Sequence, residues 1–352
     1  HMFQYAARYG STAVADNKLK LAPDQPRSTG LGYLQYYEDY NEQNADWSTA
    51  EVYFSPYQYS AMASADYDGD QGRMGNTFGV KNADPNAKLV MGGLINIGID
   101  YIRLMKWWSD WNRGGSFPAD VLNVHNYCSE SGQGINPEAC DLKGKIQALV
   151  DYRDMYLPGK EVWLTEFGHD INQHSPTHAP PIGTASAEEV QGLWLVRSYL
   201  ALAAAGVDKA AMYMLRDVDA DSWTMHDSSG LVTKKGEWTP RASWYYVYTL
   251  KNTLTGMHYL DEQPSGNANV RIYKFKNATG SGGAYAIWAP TSSQTTVNGY
   301  SLTLQGSPTT ATLVEMVSGN TSGVSSSLPI SGGKVTVNVS EKPIFVQVDQ
   351  IQ

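Results

Sequence analysis

Residues 34–47 read LQYYEDYNEQNADW, and residues 161–168 read EVWLTEFG. Each is a short run of apolar and aromatic side chains that closes on a carboxylate, Glu42 in the first and Glu166 in the second. Runs this short, bounded by polar residues, read as strands rather than helices. Working outward, three more such runs lie in the first 255 residues: Leu89–Leu94, Val121–Tyr127 and Ala210–Asp217, beside the two that open this reading, Leu34–Glu42 and Glu161–Gly168. Helical patterns fill the intervals at Ser55–Tyr67, Ile99–Trp111, Pro137–Tyr156 and Ser186–Ala205, with a last helix from Pro240 to Leu254. The SAEE at 186–189 is a capping signature, and Gly206 suits a helix stop.

Alternating strands and helices imply parallel strands joined by right-handed crossovers. Several strands end in polar groups: Asn41-Glu42, His125-Asn126-Tyr127, Glu166 and Arg216-Asp217. Chemistry gathered at the carboxyl ends of parallel strands is the habit of a (β/α) barrel. The rival, an open doubly wound sheet, calls for a glycine-rich phosphate loop that follows none of these strands. Only five strand–helix units fit before residue 255, where a closed barrel has eight. The expected fold class is therefore α/β, a partial TIM-type barrel over residues 1–255. A change of texture near Met257 to Ser, Thr, Gly and Asn marks an all-β sandwich over 256–352. Its strands are expected at Val270–Phe275, Ala284–Trp288, Tyr300–Leu304, Thr312–Met316, Lys334–Val339 and Ile344–Val348.

The net charge is −9, charged residues make up 17%, and Tyr (23) and Trp (10) are abundant, a surface suited to neutral sugars. No basic cluster supplies the positive footprint that a nucleic acid needs, and no apolar run approaches a membrane span. His1-Met2 reads as a cloning remnant with no signal peptide after it. Cys128 and Cys140 flank a Gly-rich loop; two free thiols and a loop-closing disulfide both remain open, and zinc is disfavoured. No cofactor or metal is expected.

In a barrel, Glu42 and Glu166 would end strands three positions apart, facing one another across the mouth. Two carboxyl groups about 5 Å apart make a retaining glycosidase pair: one protonates the leaving oxygen, the other attacks the anomeric carbon. The motifs EDYNEQNADW and WLTEFG resemble the two signature strands of the retaining β-glycosidase clan built on a (β/α)8 barrel. There an Asn-Glu pair ends strand four and the nucleophile ends strand seven. The resemblance implies strands four to eight here, with Glu42 as acid/base, Glu166 as nucleophile and Asn41 on the sugar 2-hydroxyl. AARYG at 6–10 resembles the end of the third barrel helix. Strand six of the clan supplies a His or Tyr beside the nucleophile, which implies Tyr127 as hydroxyl donor to Glu166 and His125 as a sugar or acid/base contact. Strands one to three are absent, with an Arg the clan brings from strand two. Gln43 stands where the clan commonly has Pro. Arg216-Asp217 stands where strand eight commonly ends in Trp, with Trp223 as the substitute.

Trp47 and Trp223 are expected to stack on sugar rings, and Arg216 to line the substrate site. Trp107, Trp108 and Trp111 are expected in the core, and the acidic stretches 66–70 and 217–221 as solvated loops. His169, His174 and His178 lie in a loop with no metal expected. The function expected is a retaining glycoside hydrolase acting on β-linked polysaccharide or oligosaccharide of plant cell-wall type. The alternative is a carbohydrate-binding or inactive remnant of such an enzyme; a transglycosylase is the third reading. The resemblance implies secretion or a periplasmic location. Open strand edges imply a homo-oligomer that completes or covers the partial barrel.

Overall fold

The computed structural model describes residues 1–352. In chain order, helix α1 (Met2–Tyr9) precedes strand β1 (Tyr36–Glu38), then come α2 (Pro56–Asp68), α3 (Val80–Ala83), β2 (Lys88–Val90), β3 (Leu94–Ile95) and α4 (Ile99–Asn112). Next are β4 (Val121–His125), the hairpin of β5 (Ser129–Glu130) and β6 (Gln133–Gly134), α5 (Leu142–Tyr156) and β7 (Glu161–Glu166). They are followed by α6 (Ala187–Ala204), β8 (Lys209–Ala210) and α7 (Ala242–Leu254). The chain ends with β9 (Met257–Glu262), β10 (Arg271–Asn277), β11 (Gly283–Trp288), β12 (Thr296–Thr303), β13 (Ala311–Val317), β14 (Asn320–Ser327), β15 (Lys334–Ser340) and β16 (Ile344–Val348). No helix is long and apolar enough to cross a membrane. The chain forms two compact units, residues 1–126 with 148–165, and residues 127–147 with 166–352.

The first unit is built on a sheet in the order β1-β2-β4-β7, with β3 also beside β4. β1 pairs parallel with β2, and both β2 and β3 pair parallel with β4. All five residues of β4 are buried, as expected of a parallel strand covered on both faces. Phe3, Ala6 and Ala7 of α1 and Val80 and Ala83 of α3 pack in one apolar cluster with Tyr37 and Leu89. α2 starts with a Ser55–Gln58 capping box and Pro56 in its first turn, and stops at Gly69 in the left-handed conformation, φ 68°.

The helices fall close to their expected positions; the strands do not reach as far. The strand expected over Leu34–Glu42 spans only Tyr36–Glu38, followed by an isolated parallel bridge from Asn41 to Gly93 and a left-handed turn at Glu42, φ 54°. That expected over Ala210–Asp217 is reduced to Lys209–Ala210. The expectation that Trp107 and Trp111 lie in the core is overturned: they are 54% and 78% exposed. α4 buries Ile102, Met105 and Ser109, and the tryptophans occupy the other side of the helix.

In the second unit a six-stranded sheet runs β14-β13-β16-β11-β10-β9, and β12 and β15 form a separate two-stranded layer. Alternation along the strands divides two cores. Ile272, Tyr285, Ile287 and Val346 join Leu302, Val335 and Val337 of the small layer. Their neighbours Tyr273, Ala286, Trp288 and Phe345 face Trp194 and Leu200 of α6 and Tyr246 and Leu250 of α7. α6 is buried over nearly its whole circumference, which explains its weak amphipathicity. β9 and β14 were not expected from the sequence; β14, NTSGVSSS, is a mostly exposed Ser-rich edge strand with no apolar alternation to mark it. Cys128 and Cys140 form a disulfide, and no cysteine is free.

Candidate active site

In the first unit, the segment after β1 is stitched to the β2–β3 connection by three consecutive residues. Glu42 donates its N–H to the Gly93 carbonyl at 3.0 Å. Gln43 is fully buried, and its Nε2 donates to the Gly92 carbonyl at 2.8 Å. The Asn44 amide reciprocates with the backbone of Ile95 at 2.9 and 2.8 Å. These ties hold Glu42 in the left-handed region, which a non-glycine residue adopts only when its surroundings dictate it.

The half-buried Glu42 carboxylate meets Nδ1 of the buried His125 at 2.9 Å. His125 ends β4, and it fits because position 93 is a glycine: a Cβ there would lie 2.0 Å from His125 Nε2. On the same sheet Asn123 donates to Glu38 Oε1 at 2.9 Å and accepts from the Thr165 hydroxyl at 2.9 Å. Asn41 and Trp47 flank Glu42 and are exposed, Trp47 by 68%.

In the second unit, Glu166 closes β7, and the Tyr127 hydroxyl donates to its Oε2 at 2.8 Å. Tyr127 precedes the disulfide-bonded Cys128, whose carbonyl accepts from Ile135 N–H at 3.0 Å. Its ring stacks on His226, centroids 4.1 Å apart, with Tyr213 edge-on to the same imidazole at 5.8 Å. Sequence reasoning missed His226, because a lone histidine in a polar loop carries no pattern. Trp223 is 69% exposed and stacks on His174 at 4.2 Å, which leaves one face of the indole open. Arg216 is half-buried, its guanidinium donating to the Asp217 carbonyl at 2.8 Å.

Two buried carboxylates hold the loop that carries Trp223 and His226. Asp170 accepts from the hydroxyls of Ser175, Thr177 and Ser228 and from the N–H groups of His226 and Ser228. Burial alone would push its carboxyl up, but these donors together hold it below the usual carboxylate range. Asp217 accepts from Gly230 N–H at 2.7 Å and pairs with Arg241 at 2.5 Å. The three histidines after Glu166 have separate duties. His169 is buried edge-on to Trp194, and burial lowers its pKa to about 4; His174 stacks on Trp223; His178 Nδ1 meets the Ser175 carbonyl at 2.6 Å. In the acidic stretch 66–70, Asp68 binds Arg113 and Asp70 binds Arg73.

No protein-family model matches the chain, and no curated protein matches it. Among solved structures its fold is similar to a family 39 glycoside hydrolase from the gut symbiont Bacteroides cellulosilyticus WH2, with TM-score 0.62 and 15% identity over 88% of this chain and 57% of that one. It is also similar to a family 30 endoxylanase from Clostridium papyrosolvens C71, with TM-score 0.56 and 12% identity over 90% of this chain and 66% of that one. A family 44 xyloglucanase from Paenibacillus polymyxa gives TM-score 0.57 and 14% identity over 91% of this chain and 67% of that one. This chain thus spans less than two thirds of the length of the first two. The likeness is one of fold: a mixed α/β architecture with a parallel sheet and additional antiparallel sheets, shared with glycoside hydrolases.

Proposed function

We propose that this protein is a retaining glycoside hydrolase that cleaves β-linked polysaccharide or oligosaccharide of the plant cell-wall type. The observation that carries the reading is Glu166 at the end of β7, with the Tyr127 hydroxyl on its Oε2 at 2.8 Å, in a fold whose structural neighbours are glycoside hydrolases. The endoxylanase and the xyloglucanase among those neighbours favour a β-linked wall glycan as the substrate. In this reading the parallel strands are strands four to eight of a (β/α) barrel. Glu166 attacks the anomeric carbon and forms a glycosyl ester, while Glu42 gives its proton to the leaving oxygen. Water then attacks the ester, Glu42 takes a proton from it, and Glu166 is released. His125 orients Glu42. Asn41, Trp47, Arg216 and Trp223 contact the sugar. The disulfide supports export to an oxidising compartment, secreted or periplasmic.

Reducing-sugar release from a panel of cellulose, xylan, mannan and mixed-linkage glucan tests the reading. Activity on one of them is expected, and Glu166→Ala abolishes it. Glu42→Ala is expected to slow hydrolysis of poor leaving groups by roughly 10²–10⁴-fold and that of activated aryl glycosides far less. The first-formed product, followed by nuclear magnetic resonance, keeps its anomeric configuration; inversion overturns the double displacement. Glycan binding with no turnover by the folded wild-type protein replaces this reading with that of a binding remnant.

A further inference from the structure

His226 takes a backbone conformation that few non-glycine residues adopt. Its φ is 75°, in the left-handed region. Its N–H is spent on Asp170 Oδ2 at 2.9 Å, and two residues later Ser228 gives both its N–H and its hydroxyl to Asp170 Oδ1, each at 3.0 Å. Asp170 is itself fully buried and fixed from its own side by Ser175 and Thr177. Five donors converging on one carboxylate therefore dictate where the 226–228 segment lies. What that backbone presents is an imidazole ring laid against Tyr127 at 4.1 Å and 33°, with Tyr213 at its edge.

Tyr127 needs such a wall. The disulfide at Cys128 tethers its backbone, but the phenol ring can still turn about its own side-chain bonds. The ring that His226 lies against is the one whose hydroxyl donates to Glu166 Oε2. A left-handed backbone at His226, held by a buried carboxylate that also ties down residues 175–177 and 228, is the fixed support a positioning element requires.

We propose that His226 is a positioning residue for Glu166, acting through the ring of Tyr127, and that Asp170 sets His226 in place. The proposal rests on Glu166 being the nucleophile, and it predicts that ring shape at position 226 matters and imidazole chemistry does not.

The test compares His226→Gly, which keeps the left-handed backbone and removes the ring, with His226→Phe, which keeps a flat ring. Tyr127→Phe and the double variant Tyr127→Phe/His226→Gly complete a cycle. On an aryl β-glycoside, His226→Gly is expected to lower kcat about 10-fold with KM changed by less than about 3-fold. His226→Phe restores kcat, and the double variant falls no lower than Tyr127→Phe alone. Additive losses, or a loss in His226→Phe equal to that in His226→Gly, overturn the proposal; the second would make the imidazole a substrate contact. A readout independent of turnover is the fluorine resonance of 3-fluorotyrosine at position 127, one sharp line in the wild type. It is expected to broaden and move in His226→Gly and in Asp170→Asn. An unchanged line in His226→Gly overturns the proposal, whatever the kinetics. Wild-type activity in Glu166→Gln would instead overturn the catalytic reading, with the fluorine result still deciding whether His226 orders Tyr127.

Discussion

A carboxyl group buried beside another carboxyl has to keep its proton, and Asp39 is such a group. It lies inside the first unit next to Asp66 and Tyr59, where burial first and the Asp66 charge second push its pKa up to about 9. The unfolded chain releases that proton near pH 4, the folded one near 9. Stability from this group is therefore complete below about pH 4 and declines by roughly 1 kcal/mol per pH unit above it, until the folded carboxyl also ionises. Asp39→Asn removes the titration, so it is expected to raise the thermal midpoint by several degrees at pH 8 and to leave it nearly unchanged at pH 4. Unfolding scans at the two pH values check this; an equal effect at both would count against a neutral Asp39. Among single residues, the contact of Tyr127 with Glu166 at the end of β7 was legible, because each closes an apolar run. Asp39 sits one residue past β1, and nothing in EDYN distinguishes it from the exposed Glu38.

At the scale of the element, helices were easier to read than strands. The Ser186–Glu189 capping box opens α6 as the SAEE pattern indicated, Ser186 accepting from Glu189 N–H and Glu189 reaching back to Ser186. Because α6 packs with α7 against the six-stranded sheet, a loss at its first turn reaches the core of the second unit. Ser186→Ala is expected to cost about 1 kcal/mol, seen as a lower urea midpoint with an unchanged slope. No shift would mean the helix start is held by its packing alone. The strand at 210 was drawn too long because apolar composition, AMYML, continues past the last paired residue. What fixes the chain beyond β1 is the set of backbone and amide ties from residues 42–44 to residues 92–95, distant in sequence. The outward tryptophans of α4 show the converse. Trp107 and Trp111 share a helix face, and only packing decides whether that face turns inward.

For the whole molecule, β1 ends the sheet of the first unit, and Tyr33 and Leu34 just before it are exposed. Two adjacent exposed apolar side chains at the end of a sheet offer a surface for association. We propose that this patch self-associates: sedimentation equilibrium is expected to show a dimer, weakened at least about 10-fold by Leu34→Lys, since burying an unpaired charge is costly. A monomer at micromolar concentration would overturn the idea.

The order of strands and helices, the change to an all-β module near residue 257 and the carboxylates at strand ends followed from sequence alone. Each depends on local periodicity or, for Glu166, on a polar residue ending an apolar run, and neighbours along the chain carry that information; Glu42 instead lies four residues past β1. The left-handed turn at Glu42, the disulfide rather than two thiols, the wall that His226 makes for Tyr127 and the outward face of α4 were settled only in three dimensions. Each depends on groups far apart in sequence, such as Gly93 under His125 or Asp170 under Ser228. Their energy exists only once the chain has closed around them.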